Sequence, residues 1–206
     1  MIRKLKTIEM QRLTVEEFHE AKKLPLVVVL DDVRSLYNVG SIFRTCDAFR
    51  VEALWLCGIT ATPEQCLTEI HKTALGAEEA VAWRYFPTAD DAVRELKRQG
   101  YHVYAVEQAE GSIKLPSRPW DGGEGSHSIV LGNEVKGVHQ SVIDLCDHCL
   151  EIPQFGTKHS MNVAVTAGIV IWEFAREEMR NEVLVDKVNK LNDKGNPNYS
   201  LLITNY

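Results

Sequence analysis

The chain has 206 residues, 45% of them hydrophobic, and a net charge of −6; that size suits one domain with a substantial core. No apolar run approaches the ~18 residues of a membrane span. The acidic total favours a small-molecule enzyme over a nucleic-acid binder, although a local basic face can coexist with it.

In chain order, the opening MIRKLKTIEM is charged and has no apolar centre, so no export signal is expected there. Five cysteines, an odd number, then read as reduced thiols in a cytoplasmic setting. The amphipathic TVEEFHEAKK follows, with Thr14 and Glu17 spaced as a capping box. Residues 26–30 are apolar without interruption and rich in valine, as a strand covered on both faces requires. Asn38 is suited to cap a helix over residues 38–50, in which Val39, Ile42, Phe43, Cys46 and Phe49 form a core stripe. Arg44 points away from that stripe, one turn beyond Gly40, so the glycine would let a ligand approach the backbone beneath a guanidinium.

Further strands are expected over residues 53–57, 80–86, 102–107, 128–131 and 149–152, with helices over 88–99, 137–145 and about 160–180. The longest helix is apolar nearly all round and is expected to be buried. This alternation predicts an α/β fold: a mostly parallel six-stranded sheet with helices on both faces. Ligands bind such sheets beyond the carboxyl ends of the strands, where the loops near Asn38, Gly132 and Gly156 would meet. Residues 111–125 have the Gly, Pro and Ser content of a loop. The expected organisation is an N-terminal helical extension (1–24), one main domain (25–180) and a polar C-terminal extension (181–206).

Several chemistries find little support. Cys146, His148 and Cys149 have the spacing of half a zinc site, but no second pair exists and no metal is expected. There is no P-loop and no G-x-G-x-x-G after the first strand. Two later stretches carry more. IVLGNEVKG holds Glu134 between Gly132 and Gly137 at a strand's carboxyl edge. In LEIPQFGTKHSMNVAV, Ser160 and Asn162 precede the long helix, where free amides make either an anion site or a simple cap.

Asn38-Val39-Gly40 with Arg44-Thr45, then LGNEVKG, then IPQFG…SMNVAV resemble, in order and spacing, the three-motif signature of the SpoU (TrmH-like) class of SPOUT RNA methyltransferases. IHKTALGAEEAV resembles a segment found between the first two motifs. The resemblance implies transfer of the methyl of S-adenosylmethionine to a ribose 2′-hydroxyl of RNA. It also implies a deep C-terminal trefoil knot and a homodimer whose site is completed across the subunit interface. Carried over residue by residue, it makes Arg44, Asn38, Glu134, Ser160 and Asn162 the catalytic group. Val106, Glu107, Leu131, Gly132, Ile152 and Met161 become the cofactor-binding positions. The basic residues Arg3, Lys4, Lys6, Arg12, Lys22 and Lys23, with Lys187, Lys190 and Lys194, could grip phosphates. A compact member with short extensions points to tRNA over rRNA. The alternatives are an rRNA enzyme, a base-methylating knotted enzyme, or a catalytically silent RNA-binding module of the same fold.

Overall fold

The apolar run LPLVVVLD forms the central strand β1 (Leu24–Asp31), six of whose eight residues are fully or almost fully shielded from solvent on both faces. The structure, a computed structural model, describes residues 2–10, 12–117 and 125–192. Within those limits the chain runs from a short 3₁₀ turn (Thr7–Met10) into α1 (Val15–Glu20), then β1, α2 (Leu36–Ala48) and β2 (Val51–Cys57). It continues through α3 (Pro63–Ala74), α4 (Ala77–Ala80), β3 (Trp83–Phe86), α5 (Ala89–Arg98), β4 (His102–Val106) and β5 (Ile113–Lys114). It ends with β6 (His127–Leu131), α6 (Gln140–Ile143), β7 (His148–Glu151) and α7 (Val163–Asn192).

The strands form one seven-stranded sheet in the order β3-β2-β1-β6-β4-β7-β5, and every ladder is parallel. The expected six strands are therefore seven, because the two-residue β5 pairs with β7 inside the stretch read as loop. Strand side chains alternate between faces, so Leu26, Val28 and Leu30 pack with Val39, Ile42 and Phe43 of α2 and Ala167, Val170 and Ile171 of α7. Val27 and Val29 point the other way, toward Ala92, Val93 and Leu96 of α5. Each such buried aliphatic side chain contributes about 1.5–3 kcal/mol relative to exposure, which fixes the three-layer order.

The structure corrects several expectations. Residues 80–86 divide into the end of α4 and the four-residue β3. The helix expected over 137–145 shortens to α6. The long helix extends to Asn192, and its outer face is exposed: Val165, Ile169 and Trp172 show 54%, 37% and 45% of their surface. α3 was not anticipated, although Thr62-Pro63 followed by Gln65 carries its start signal, and the Thr62 N–H donates to Gln65 Oε1. Residues 118–124 of the expected loop and the tail from 193, Lys194 included, lie outside the described residues, as do the side chains of Lys187 and Lys190. Among the described residues no helix is long and apolar enough to cross a membrane.

Candidate functional site

Because all strands run one way, β1, β4, β6 and β7 end at the same edge of the sheet, and the loops that follow them meet there. The first is the start of α2. Its N-cap is Ser35, whose Oγ accepts from Asn38 N at 3.3 Å, and Asn38 sits inside the first turn. This corrects the expectation that Asn38 is the cap, and it frees the Asn38 side chain for distant partners. Asn38 Nδ2 donates to Glu134 Oε1 at 3.0 Å, and Asn38 Oδ1 accepts from Asn162 Nδ2 at 3.0 Å.

Glu134 also accepts from Ser35 N at 3.0 Å and Arg34 N at 3.1 Å, so its carboxylate gathers two N–H donors from the β1–α2 connection and one from the first turn of α2. Burial pushes the Glu134 carboxyl up, but these hydrogen bonds outweigh burial and hold it below the usual carboxylate range. Asn162 in turn caps α7, its Oδ1 accepting from Ala164 N and Val165 N at 2.9 and 3.3 Å. The expected capping role thus falls to Asn162, while Ser160 is exposed. One hydrogen-bond chain, Glu134–Asn38–Asn162, joins three segments far apart in sequence.

The Glu134 turn is itself tightly built. Asn133 Oδ1 accepts from Val135 N and Lys136 N, and Asn133 and Gly137 exchange two backbone hydrogen bonds. A Cβ on Gly132 would stand 2.1 Å from Gly137 C, so the absent side chain is what lets the turn close beside the cavity. Gly137 has φ +69, and a side chain there would meet Glu107 Oε2 at 2.0 Å. Glu107 Oε2 instead accepts from Val138 N at 3.1 Å, tying the end of β4 to the turn after β6. Below it, Asp31 at the end of β1 holds His139: Oδ2 accepts from His139 N at 3.0 Å and lies 2.9 Å from its Nδ1.

Beside this framework is a cavity of about 760 Å³. Val106, Glu107, Leu131, Gly132, Ile152 and Met161, the positions assigned by resemblance to a cofactor, all line it. So do Glu134 and Ser160, whereas Asn38 and Asn162 stand behind Glu134. Its floor is apolar, from Val106, Leu131, Leu150 and Ile152 at strand ends; its charged lining is three carboxylates (Glu107, Glu110, Glu134) against one lysine, Lys136. Sequence reasoning missed Gln108, whose Nε2 donates to His159 O at 2.5 Å and bridges two walls. Nothing in the residue pattern marks that contact.

Arg44 is placed elsewhere. It is exposed and lines a separate cleft of about 460 Å³ with Ser41, Thr45, Ala48, Phe49, Lys72 and Thr73. Gly40 explains the cleft's second wall. A Cβ on it would meet Thr73 Oγ1 at 2.2 Å and Ile70 O at 2.3 Å, so the glycine admits the backbone of α3, not a ligand as its sequence context suggested. Cys146 and Cys149 are free thiols whose Sγ atoms donate to Val142 O and Glu107 O.

The model of the SpoU rRNA Methylase family matches residues 25–172. The chain is 32% identical over 168 residues to the 23S rRNA (guanosine-2′-O-)-methyltransferase RlmB of Neisseria meningitidis, covering 77% of this chain but 61% of that protein. It is 29% identical over 172 residues to the tRNA (guanosine(18)-2′-O)-methyltransferase of Thermus thermophilus, covering 84% of this chain and 85% of that one. Among solved structures, the AdoMet-bound rRNA methyltransferase from Sinorhizobium meliloti superposes with a TM-score of 0.66 at 28% identity, over 75% of this chain and 60% of that one.

Proposed function

The chain belongs to the SpoU rRNA methylase family, and on that premise we propose that it transfers the methyl group of S-adenosylmethionine to a ribose 2′-hydroxyl of RNA, tRNA before rRNA. The observation that carries the reading is the Glu134–Asn38–Asn162 chain, which draws the three motifs together beside one cavity. Preference for tRNA is supported by the Thermus tRNA enzyme, which matches 84% of this chain, against 77% for the Neisseria rRNA enzyme.

The cavity fits the methyl donor. Its volume lies within the range of about 300–1,000 Å³ usual for small-molecule sites. The apolar floor suits a nucleobase, and the excess of carboxylates suits a cationic sulfonium. Val106, Leu131, Gly132, Ile152 and Met161 would hold it, with Glu107 fixing the wall they share. When bound, the donor supplies an electrophilic methyl carbon, so the protein's task is to orient the attacking oxygen and accommodate its proton.

Arg44 does the orienting. Its planar fork of donors grips the ribose oxygen and the adjacent phosphate, and its charge assists loss of the hydroxyl proton to that phosphate or to water. Its fork offers hydrogen-bond donors and no acceptor, so it orients the hydroxyl and does not take its proton. Glu134 fixes Asn38 and the start of α2, the helix that carries Arg44, and is too fully engaged by N–H donors to serve as the base. Ser160 contributes its hydroxyl to the cavity wall.

In one chain Arg44 lies outside the donor cavity, which supports a site completed by a second copy. The exposed apolar stripe of Val165, Ile169 and Trp172 on α7, the helix whose first residues Asn162 links to Asn38, is the surface such a copy would cover. A knotted path is supported by the topology: β7 lies beyond β4, yet α7 returns to pack on α2 and β1. Five free cysteines support a reducing, cytoplasmic setting.

The test is methyl transfer from labelled S-adenosylmethionine to tRNA and rRNA from cells lacking the gene, followed by nuclease digestion. Label on the ribose of a nucleoside confirms the proposal. Label on a base, or cofactor binding without transfer, overturns it.

A further inference from the structure

We propose that the cleft between α2 and α3 binds a ribose-phosphate unit of the RNA substrate, with Lys72 as a positioning residue that holds the phosphodiester beside Arg44. This inference rests on the RNA-methylating reading and extends it to a residue outside the three motifs.

The first observation is charge. Arg44 and Lys72 are both exposed on the cleft, and neither makes an ion pair or hydrogen bond with any described residue. Among the described residues no carboxylate lines the cleft. In a chain of net charge −6, two uncompensated cations facing one space are a local anion-attracting pole. It contrasts with the donor cavity, where carboxylates outnumber lysine three to one. The two proposed reactants, a sulfonium cation and a polyanion, thus find opposite fields.

The second observation is the direction of the hydroxyls. Ser41 Oγ donates to Tyr37 O at 2.7 Å, Thr45 Oγ1 to Ser41 O at 3.0 Å, and Thr73 Oγ1 to Tyr37 O at 3.0 Å. Each proton is spent on a main-chain carbonyl, so these oxygens offer only lone pairs to the cleft. A sulfate dianion, which has no hydroxyl, brings acceptors alone and gains nothing from them. A ribose-phosphate brings an anion for the two cations and a hydroxyl donor for the three oxygens. The aromatic Phe49, in edge contact with Trp172 at 5.8 Å, closes the far wall and offers apolar surface to the sugar.

The third observation is the construction. Gly40 lets α3 approach α2 so closely that a methyl group would not fit, and this contact sets Thr73, and Lys72 beside it, on the Arg44 side of the helix. α3 ends at Leu75 in a left-handed turn (φ 55), followed by Gly76 at φ 95. The buried Glu78 secures that turn by accepting from Gly76 N at 3.0 Å and pairing with His71 Nδ1 at 2.5 Å. The HKTALGAEE segment is therefore a rigid bracket that presents Lys72.

The experiment compares wild type with Lys72→Gln, Lys72→Glu and Lys72→Arg in two assays with unfractionated tRNA: methyl transfer, and equilibrium binding across a salt series. Lys72→Gln is expected to raise the KM for tRNA about 5–20-fold and to reduce the slope of log affinity against log salt by about 0.7–0.9, as loss of one phosphate contact requires. kcat, S-adenosylmethionine affinity and thermal midpoint stay at wild-type values. Lys72→Glu falls further, and Lys72→Arg restores both KM and slope. Unchanged KM and slope in Lys72→Gln overturn the proposal. Should the wild type methylate no RNA, the enzymatic reading itself falls, and the salt slope still decides whether Lys72 contacts phosphate.

Discussion

Asn38 donates its side-chain amide to Glu134 at 3.0 Å across 96 positions of sequence. The same carboxylate takes the backbone N–H groups of Arg34 and Ser35, so a single acceptor sets the entry angle of α2 and hence the position of everything α2 carries. Glu134→Ala leaves these donors without partners and is expected to cost about 1–3 kcal/mol of stability together with most methyl transfer. Glu134→Gln keeps one acceptor oxygen and should fall between the two in a denaturant titration. The sign with pH follows from the carboxyl being held below 4.5. Its contribution is complete above that value and is lost as pH falls through the folded-state value. The glutamine variant should lose stability less steeply on the acid side.

Arg44→Lys keeps the charge and discards the planar fork. If the fork orients the ribose, kcat drops by about 10²–10⁴, an effect of the size seen when a positioned catalytic group is lost. Calorimetric titration with S-adenosylmethionine should give wild-type affinity, since Arg44 does not line the donor cavity. Full turnover in this variant contradicts the assigned role.

Gly40→Ala tests the α2–α3 contact directly. The new methyl would lie 2.3 Å from Ile70 O, a backbone atom that cannot turn aside. Overpacking of this kind costs about 1–3 kcal/mol, visible as a lower thermal midpoint. Separation of Lys72 from Arg44 should follow, measured as a higher KM for RNA.

Ile169→Glu places a charge in the centre of the exposed stripe between Val165 and Trp172. Sedimentation equilibrium should find a dimer in wild type and a monomer in the variant, with an unchanged circular dichroism spectrum, because Ile169 is 37% exposed and not part of the core. A wild-type monomer at micromolar concentration would remove the second copy from the site.

His127 gives the fold a separate dependence on pH. Burial, and then the neighbouring His102, hold its imidazole below the ordinary 6.5. The unfolded chain therefore takes up a proton first as pH falls, so stability is complete above 6.5 and declines toward the folded-state value. His127→Phe, which keeps a ring against Tyr104 and Phe174, should flatten that decline in urea titrations between about pH 5 and 7.

The sheet was legible because its strands are short, apolar and regularly separated by helical patterns. Motif positions could be read as well, since residue types at strand ends keep their spacing whatever the loops do. Contacts made by glycines could not. Gly40 looked like an opening toward a ligand, and it proves to be a place where the backbone of α3 meets α2. A missing side chain says that something comes close, but not what. Ser35 is the capping residue, and the Asn38 side chain is committed to tertiary bonds that no local pattern records. The outer face of α7 failed for a related reason: an apolar helix surface is the same in sequence whether the chain's own core or another molecule covers it.

The bonds that tie Glu134 and Asn162 to Asn38 span 96 and 124 positions. During synthesis, a ribosome has nearly finished the described part of the chain before the last of these partners emerges. A nascent polypeptide that has already laid down β1 and α2 therefore lacks the bonds that hold the start of α2 to the rest of the fold. A chain released before Asn162 emerges lacks the cap of α7 and its bond to Asn38, and both form only as the closing helix docks.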